Sequence, residues 1–478
     1  MTKPFPDSPS YTGHDAPSRL EVDLFDVEII GEPPRLPNGT WYRLGPDPQY
    51  PPLHGDDFFI SGDGMMSMFR FTDGCVDYKS RYVRTERFLA ERKARRRLFG
   101  DYRNPFTDDP SVRGKVDRAQ VNTTAWWHAG RLLALKEDSR PYQVHPDTLD
   151  TIGRFDWNGK LRSETVTAHP KNDPETGEML FFGYEAGGIA TTDIAFCVAN
   201  EKGELVREEW FQAPYCGMVH DFAITRDYVI IPVYPTIAKL DRIKAGGLHW
   251  VSDLSQPTWV AIFPRKTGVK DLRWFRRPGC HSYHVINAWN EGPRIYLDQC
   301  VSEINPFPFI PDESGAPYDP RKAATYPTRW IFDMSAPGDT FEERRLTNVF
   351  GDVPRIDERR TGAPYRYFYM GVVDPTKPIH KSGPVGGGFN HVGKIDVQTG
   401  KADLWYGDDN CGFQEPIFVP TGPGEDEGYV LAVIDHYDQN RSDVGVFDAR
   451  NISRGPVATL RLPMRLRLAV HGCWVNAT

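Results

Sequence analysis

The sequence predicts an all-β body, and three observations carry that expectation. Gly and Pro are abundant and spread along the whole chain, 43 and 41 of 478 residues, and aromatic residues make up 13%. That composition suits many short strands joined by turns. Turn signals recur at His128-Ala129-Gly130, Pro174 to Gly177, Glu201-Lys202-Gly203, Asn290-Glu291-Gly292 and Gln398-Thr399-Gly400. Helical periodicity is confined to one segment. Short strands between tight turns make a sandwich, a barrel or a propeller, and the turn spacing is too irregular to count blades.

Taken in order, residues 1–20 read as a loose polar arm and residues 21–478 as one domain, because no Ser-, Gly- or Pro-rich linker divides them. Asn38-Gly39-Thr40 opens a strand that ends on Gly45-Pro46. Phe58 to Tyr82 reads as strand, turn and strand around Thr72-Asp73-Gly74, a compact hairpin signal. Thr85 to Phe99 predicts a helix carrying Arg92, Arg95, Arg96 and Arg97, closed by Leu98-Phe99-Gly100. Its basic residues are expected on a solvated face, in preference to a nucleic-acid contact. Tyr102-Arg103-Asn104-Pro105 then forms a loop. Two long Pro-rich connections, 305–326 and 371–388, are expected as loops over one end of the body, joined there by the insertion at about 85–120.

A net charge of -8 argues against a general nucleic-acid surface. Seven scattered Cys without a Cys-x-x-Cys pair suggest neither a zinc ribbon nor a disulfide framework. The N-terminus lacks an apolar signal core and no apolar run is long enough to span a membrane, so a cytoplasmic protein is expected.

The stretch from His281 to Trp289 places His284 at the mouth of a buried strand, before Val285, Ile286, Ala288 and Trp289. His169, His220 and His471 sit in similar contexts. The four lie far apart in the chain, so only a closed fold could gather them, as a propeller does when its innermost strands converge on one axis. Four imidazoles leave a divalent ion its full charge and suit Fe, Zn, Cu or Ni. Metal-bound histidines usually give their other ring N–H to a carboxylate, and Glu137, Asp352 and Glu415 are the candidates. Against this stands the count of nine further histidines, which keeps a non-catalytic β-propeller binding protein as an alternative.

These segments resemble the carotenoid cleavage oxygenase family. The resemblance runs from Asn38-Gly39-Thr40 through Ser61 to Met65, Ala168 to Lys171, Val219 to Phe222, His284 to Trp289, Gln414 to Pro420 and Leu462 to Arg467, to His471-Gly472-Cys473-Trp474. Glu91 to Pro105 and Leu135 to Asp138 are similar to the lignostilbene dioxygenase and isoeugenol monooxygenase branch. The resemblance implies a seven-bladed β-propeller with a helical and loop cap, and Fe(II) held by His169, His220, His284 and His471. It also implies that Tyr102 and Lys136 face the substrate phenol. Two features depart from simple expectation. Asp352 stands where the family usually has the longer Glu, and strand alternation would put Lys136 and Glu137 on opposite faces unless the strand ends or bulges there.

The implied activity is a coenzyme-independent, Fe(II)-dependent cleavage of the exocyclic Cα=Cβ bond of a 4-hydroxyphenyl alkene with O2. Substrates of the isoeugenol, 4-vinylguaiacol or lignostilbene type would give an aromatic aldehyde such as vanillin. Lys136 and Tyr102 would favour the phenolate, and Phe59, Phe307 and Phe309 would wall the aryl rings. An apocarotenoid substrate is the alternative within the family, and a homodimer is compatible with it.

Overall fold

Residues 3–32, 35–58, 60–380 and 388–477 are described by the computed structural model. Phe59 lies outside them. The hairpins form where their turns demand: Asp73 and Gly74 adopt φ +51° and +85° between strands paired at Thr72 and Cys75. Two consecutive positive φ values make the turn whose twist matches a hairpin. Ala129 and Gly130 repeat it, at φ +48° and +75°, between Thr124–His128 and Arg131–Leu135.

Among the described residues the strands form six sheets, and dividing the nine-stranded one at its single parallel bridge gives seven antiparallel groups. The first contains Gly39–Pro46, Gly64–Thr72 and Cys75–Tyr82, with the C-terminal His471–Asn476 paired to its inner strand. The second runs from Thr124–His128 to Thr151–Arg154 and touches the first through one parallel bridge, His471 to Thr124. The third spans Lys171–Asn172 to Leu205–Gln212, the fourth Gly217–Met218 to Arg273–Arg277, and the fifth His281–Glu291 to Glu342–Arg345. The sixth spans Gly351–Ile356 to Ala402–Tyr406. The seventh spans Cys411–Phe413 to Ala458–Arg461 and takes Glu28–Gly31, from the N-terminal end, as its outer strand.

Seven hydrophobic cores lie between these groups, each filled from two neighbours. Tyr42 and Met66 of the first meet Leu132 and Val144 of the second; Leu133 meets Phe181, Phe182 meets Phe263, and Ile262 meets Leu297. Trp289 then meets Met370, Tyr369 meets Val430, and Leu431 returns to Trp41 and Phe69. The circuit closes into a β-propeller. Each fully buried Leu or Phe in it contributes roughly 1.5–3 kcal/mol, and both chain ends are tied into the ring.

Outside the blades the helix Glu86–Ala94 is capped by Thr85, whose hydroxyl accepts from the Phe88 N–H. It stops five residues short of the predicted Phe99 because Arg95 turns left-handed at φ +55°. Glu91 then accepts the N–H groups of Leu98 and Phe99 and pins the chain that follows. The basic run is therefore not one solvated face. Arg92, Arg95 and Arg96 are exposed, whereas Arg97 is buried beside Asp57 and Glu91. The N-terminal arm is not loose either: Arg465 donates to the His14 carbonyl and Arg467 to that of Ser10, which holds it against the body. No helix among the described residues is long and apolar enough to cross a membrane.

Candidate metal centre and cavity

Four innermost strand ends bring four histidines to one point. His169 precedes Lys171–Asn172, His220 follows Gly217–Met218, His284 lies in His281–Glu291, and His471 opens the last strand. Their ligating nitrogens all fall within 4.8 Å of one another. The Nε2 atoms of His169 and His220 are 3.0 Å apart, and those of His284 and His471 are 3.2 Å apart.

Three outward ring nitrogens meet carboxylates. His220 Nδ1 is 2.6 Å from Glu137 Oε2, His284 Nδ1 is 2.9 Å from Asp352 Oδ1, and His471 Nδ1 is 2.7 Å from Glu415 Oε1. An ionised carboxylate only accepts, so each Nδ1 carries the proton. In the neutral ring the Nε2 lone pair then points inward, and three such lone pairs would repel one another unless a cation lay between them. Metal–imidazole bonds of about 2.1 Å set ligand nitrogens at a right angle about 3.0 Å apart, close to the spacing observed. The donor set fits a divalent ion.

Glu137 and Glu415 stay ionised despite burial. Burial alone would raise Glu137 and Glu415, but His220 and Arg103 around the first, and His471 and Arg355 around the second, pull both below the usual carboxylate range. Burial and the three neighbouring rings push His169 well below the usual imidazole range, the neutral state a ligand needs. Among the described residues no carboxylate lies at hydrogen-bond distance from His169; Asp221 lies 4.0 Å away and is taken up by Lys171 and the Val285 N–H.

The structure resolves both departures met in the sequence. Asp352 reaches His284 although it is shorter than Glu, because the strand Gly351–Ile356 shifts register between Asp352 and Arg355. Val353, at φ +53°, forms this kink, a costly conformation for a β-branched residue, and its N–H donates to Asp352 Oδ1 at 2.8 Å. Lys136 and Glu137 serve one site because the strand Arg131–Leu135 ends just before them.

A cavity of about 620 Å³ opens beside His220 and His284. One wall is aromatic: the Tyr102 ring stacks on Phe58 at 4.4 Å, Phe58 meets Phe309 edge-on at 4.1 Å, and Phe307 stacks on Phe309 at 5.1 Å. Phe307 and Phe309 line the cavity as the sequence suggested, and Phe58, which sequence reasoning missed in favour of its neighbour, lines it too. Tyr283 was also missed; it packs 4.3 Å from Phe307 and 5.2 Å from the His220 ring. Lys136 is 1% exposed. Its Nζ donates to Gln120 Oε1 at 2.6 Å and to the Ile60 carbonyl at 3.1 Å, and it lies 5.1 Å from the Tyr102 ring centre. Asp138 Oδ2 lies 3.9 Å from the same nitrogen, beyond hydrogen-bond length, so of the three ammonium protons one is without an acceptor at hydrogen-bond distance. Burial brings Lys136 down to about 8 and lifts Tyr102 well above the ordinary phenol value, so Tyr102 is a neutral donor.

The carboxylate pairs predict a graded loss. Glu415→Gln keeps shape and removes charge, and should weaken Co(II) binding by about 10- to 100-fold, read by competition with a chelator.

Residues 15–476 match the family described as retinal pigment epithelial membrane protein. The chain is 45% identical over 470 residues to isoeugenol monooxygenase from Pseudomonas nitroreducens, covering 98% of each chain. It is 42% identical over 482 residues to lignostilbene-alpha,beta-dioxygenase isozyme III from Sphingomonas paucimobilis, covering 99% of this chain and 98% of that one. The crystal structure of Pseudomonas brassicacearum lignostilbene dioxygenase superposes with a TM-score of 0.95 at 40% identity over the whole of both chains. With this sequence similarity, this fold and four histidines gathered on the propeller, the chain belongs to the family of the retinal pigment epithelial membrane protein, the carotenoid oxygenases.

Proposed function

We propose that the protein is an Fe(II)-dependent oxygenase that cleaves the exocyclic Cα=Cβ bond of a 4-hydroxyphenyl alkene. One alkene and one O2 give two carbonyl products, one of them an aromatic aldehyde. His169, His220, His284 and His471 would hold the iron, with Glu137, Asp352 and Glu415 fixing three of the rings. The iron, when bound, supplies the binding and activation of dioxygen. The observation that carries the reading is the pairing of Lys136 with Tyr102 in an aromatic cavity that borders the four histidines.

A free phenol titrates near 10, and its anion is far richer in electrons at the conjugated alkene. A buried ammonium and a neutral hydroxyl donor both favour that anion, and the dry aromatic wall strengthens the attraction over its value in water. Phe58, Phe307 and Phe309 hold the ring and exclude water. The same cavity is also lined by Tyr326, Phe350, Phe389 and Phe413, further aromatic residues suited to a second ring. This supports a two-ring 4-hydroxystilbene over a one-ring propenylphenol, and the relatives named for lignostilbene and isoeugenol bracket the choice.

The test compares 4-hydroxystilbene with its methyl ether on the iron-loaded protein, with aldehyde followed by chromatography. Capping the phenol removes the anion, and the loss of one charge-assisted hydrogen bond, about 1.5–3 kcal/mol, should slow the ether at least about 10-fold. Equal rates would remove phenol activation and bring the apocarotenoid reading forward.

A further inference from the structure

We propose that Arg103 is a positioning residue that binds the Glu137–His220 pair and the Tyr102 wall of the cavity into one rigid unit. This rests on the metal reading above and adds to it a residue that touches neither metal nor substrate.

Arg103 sits in the loop after the cap helix, at φ +52°. Tyr102 lines the cavity, while the Arg103 guanidinium lies behind it in the protein interior, beside the Tyr102 hydroxyl, and leaves the residue only 7% exposed. There it donates to the Tyr184 hydroxyl at 3.0 Å and pairs with Glu185, which is 3% exposed. The Tyr184 hydroxyl also faces Glu137 and favours its ionised form. Arg103 Nη1 itself lies 3.9 Å from Glu137 Oε1. Glu137 is the carboxylate whose other oxygen holds His220 at 2.6 Å.

The far side of the guanidinium is braced as firmly. His249, 2% exposed, lies with Nε2 3.1 Å from Glu185 Oε2 and Nδ1 3.2 Å from the Arg103 carbonyl. Trp250, which lines the cavity, has its ring centre 5.2 Å from the guanidinium carbon, as does Tyr184. Asn104 donates to the Ile243 and Gly247 carbonyls and so fastens the loop to the cap helix Leu240–Lys244. Neutralising Glu185 alone would need only a cation. A fork that also reaches Tyr184, with Glu137 within 4 Å of the same nitrogen, does more: it sets the carboxylate that aims His220, and through the adjacent residue it sets the phenol-binding ring.

Three variants test this with Co(II) in the metal-free protein. Tyr184→Phe removes the hydroxyl beside Arg103 and Glu137; Arg103→Lys keeps the charge and loses the fork; Phe309→Leu is the control that changes only an apolar cavity wall. Tyr184→Phe and Arg103→Lys should bind Co(II) about 10-fold more weakly, as outer-shell changes do, with shifted visible bands and a raised KM for a 4-hydroxystilbene. Phe309→Leu should raise KM while leaving the Co(II) spectrum as in wild type. Far-UV circular dichroism checks folding, and if Arg103→Lys does not fold, Tyr184→Phe decides. Wild-type affinity and spectrum in the folded variants would overturn the proposal and leave the metal reading standing. A wild-type protein that binds no Co(II) would overturn both.

Discussion

Ala in place of any one of His169, His220, His284 or His471 is expected to abolish turnover and leave the purified protein with little bound iron. The reason is not only the missing ligand. Each of His220, His284 and His471 also occupies a carboxylate, so His284→Ala leaves Asp352 without its ring partner and His471→Ala leaves Glu415 dependent on Arg355 and the Gly472 N–H. Leaving such a group short of a partner costs about 1–3 kcal/mol, which the propeller should absorb, because none of the four histidines belongs to the seven hydrophobic cores. The variants should therefore fold, as circular dichroism would show, and fail in metal analysis and in aldehyde production together. Two variants with full iron and full turnover would remove the assignment.

Lys136→Met is expected to keep its iron and lose about 10- to 100-fold in turnover of a 4-hydroxystilbene, the worth of one hydrogen bond to a charged group. Met retains most of the stem and removes the ammonium. The pH profile supplies an independent signature. Burial brings Lys136 down to about 8, so the charged form prevails below that value and is lost above it. Wild-type kcat/KM should then fall as pH rises through about 8, and Lys136→Met should lack that limb. An unchanged alkaline limb in the variant would assign it to another group.

The parts of the site that were legible in the sequence are those where one residue type in one local context carries the chemistry. Each of the four histidines stands in or beside a strand, and Glu137, Asp352 and Glu415 could be named because imidazole ligands need acceptors. Their geometry was not legible. Whether Asp352 could reach depended on the kink at Val353, and whether Lys136 and Glu137 could share a site depended on where the strand Arg131–Leu135 stopped. The blades resisted counting for a topological reason: the first is completed by His471–Asn476 from the C-terminal end and the seventh by Glu28–Gly31 from the N-terminal end. Arg103, Glu185 and His249 escaped notice because burial, not sequence pattern, makes a charged group informative. Arg97 was misread in the same way, as one more surface arginine in a basic run.

The four histidines bring their ligating nitrogens to one point, and that they hold a cation there is the claim on which the rest stands. Iron per chain in wild-type protein, measured by elemental analysis after anaerobic loading with Fe(II) and removal of excess, tests it most directly. The account predicts close to one iron per chain, falling sharply in His284→Ala. Less than about one tenth of an iron per chain in folded wild-type protein would contradict it.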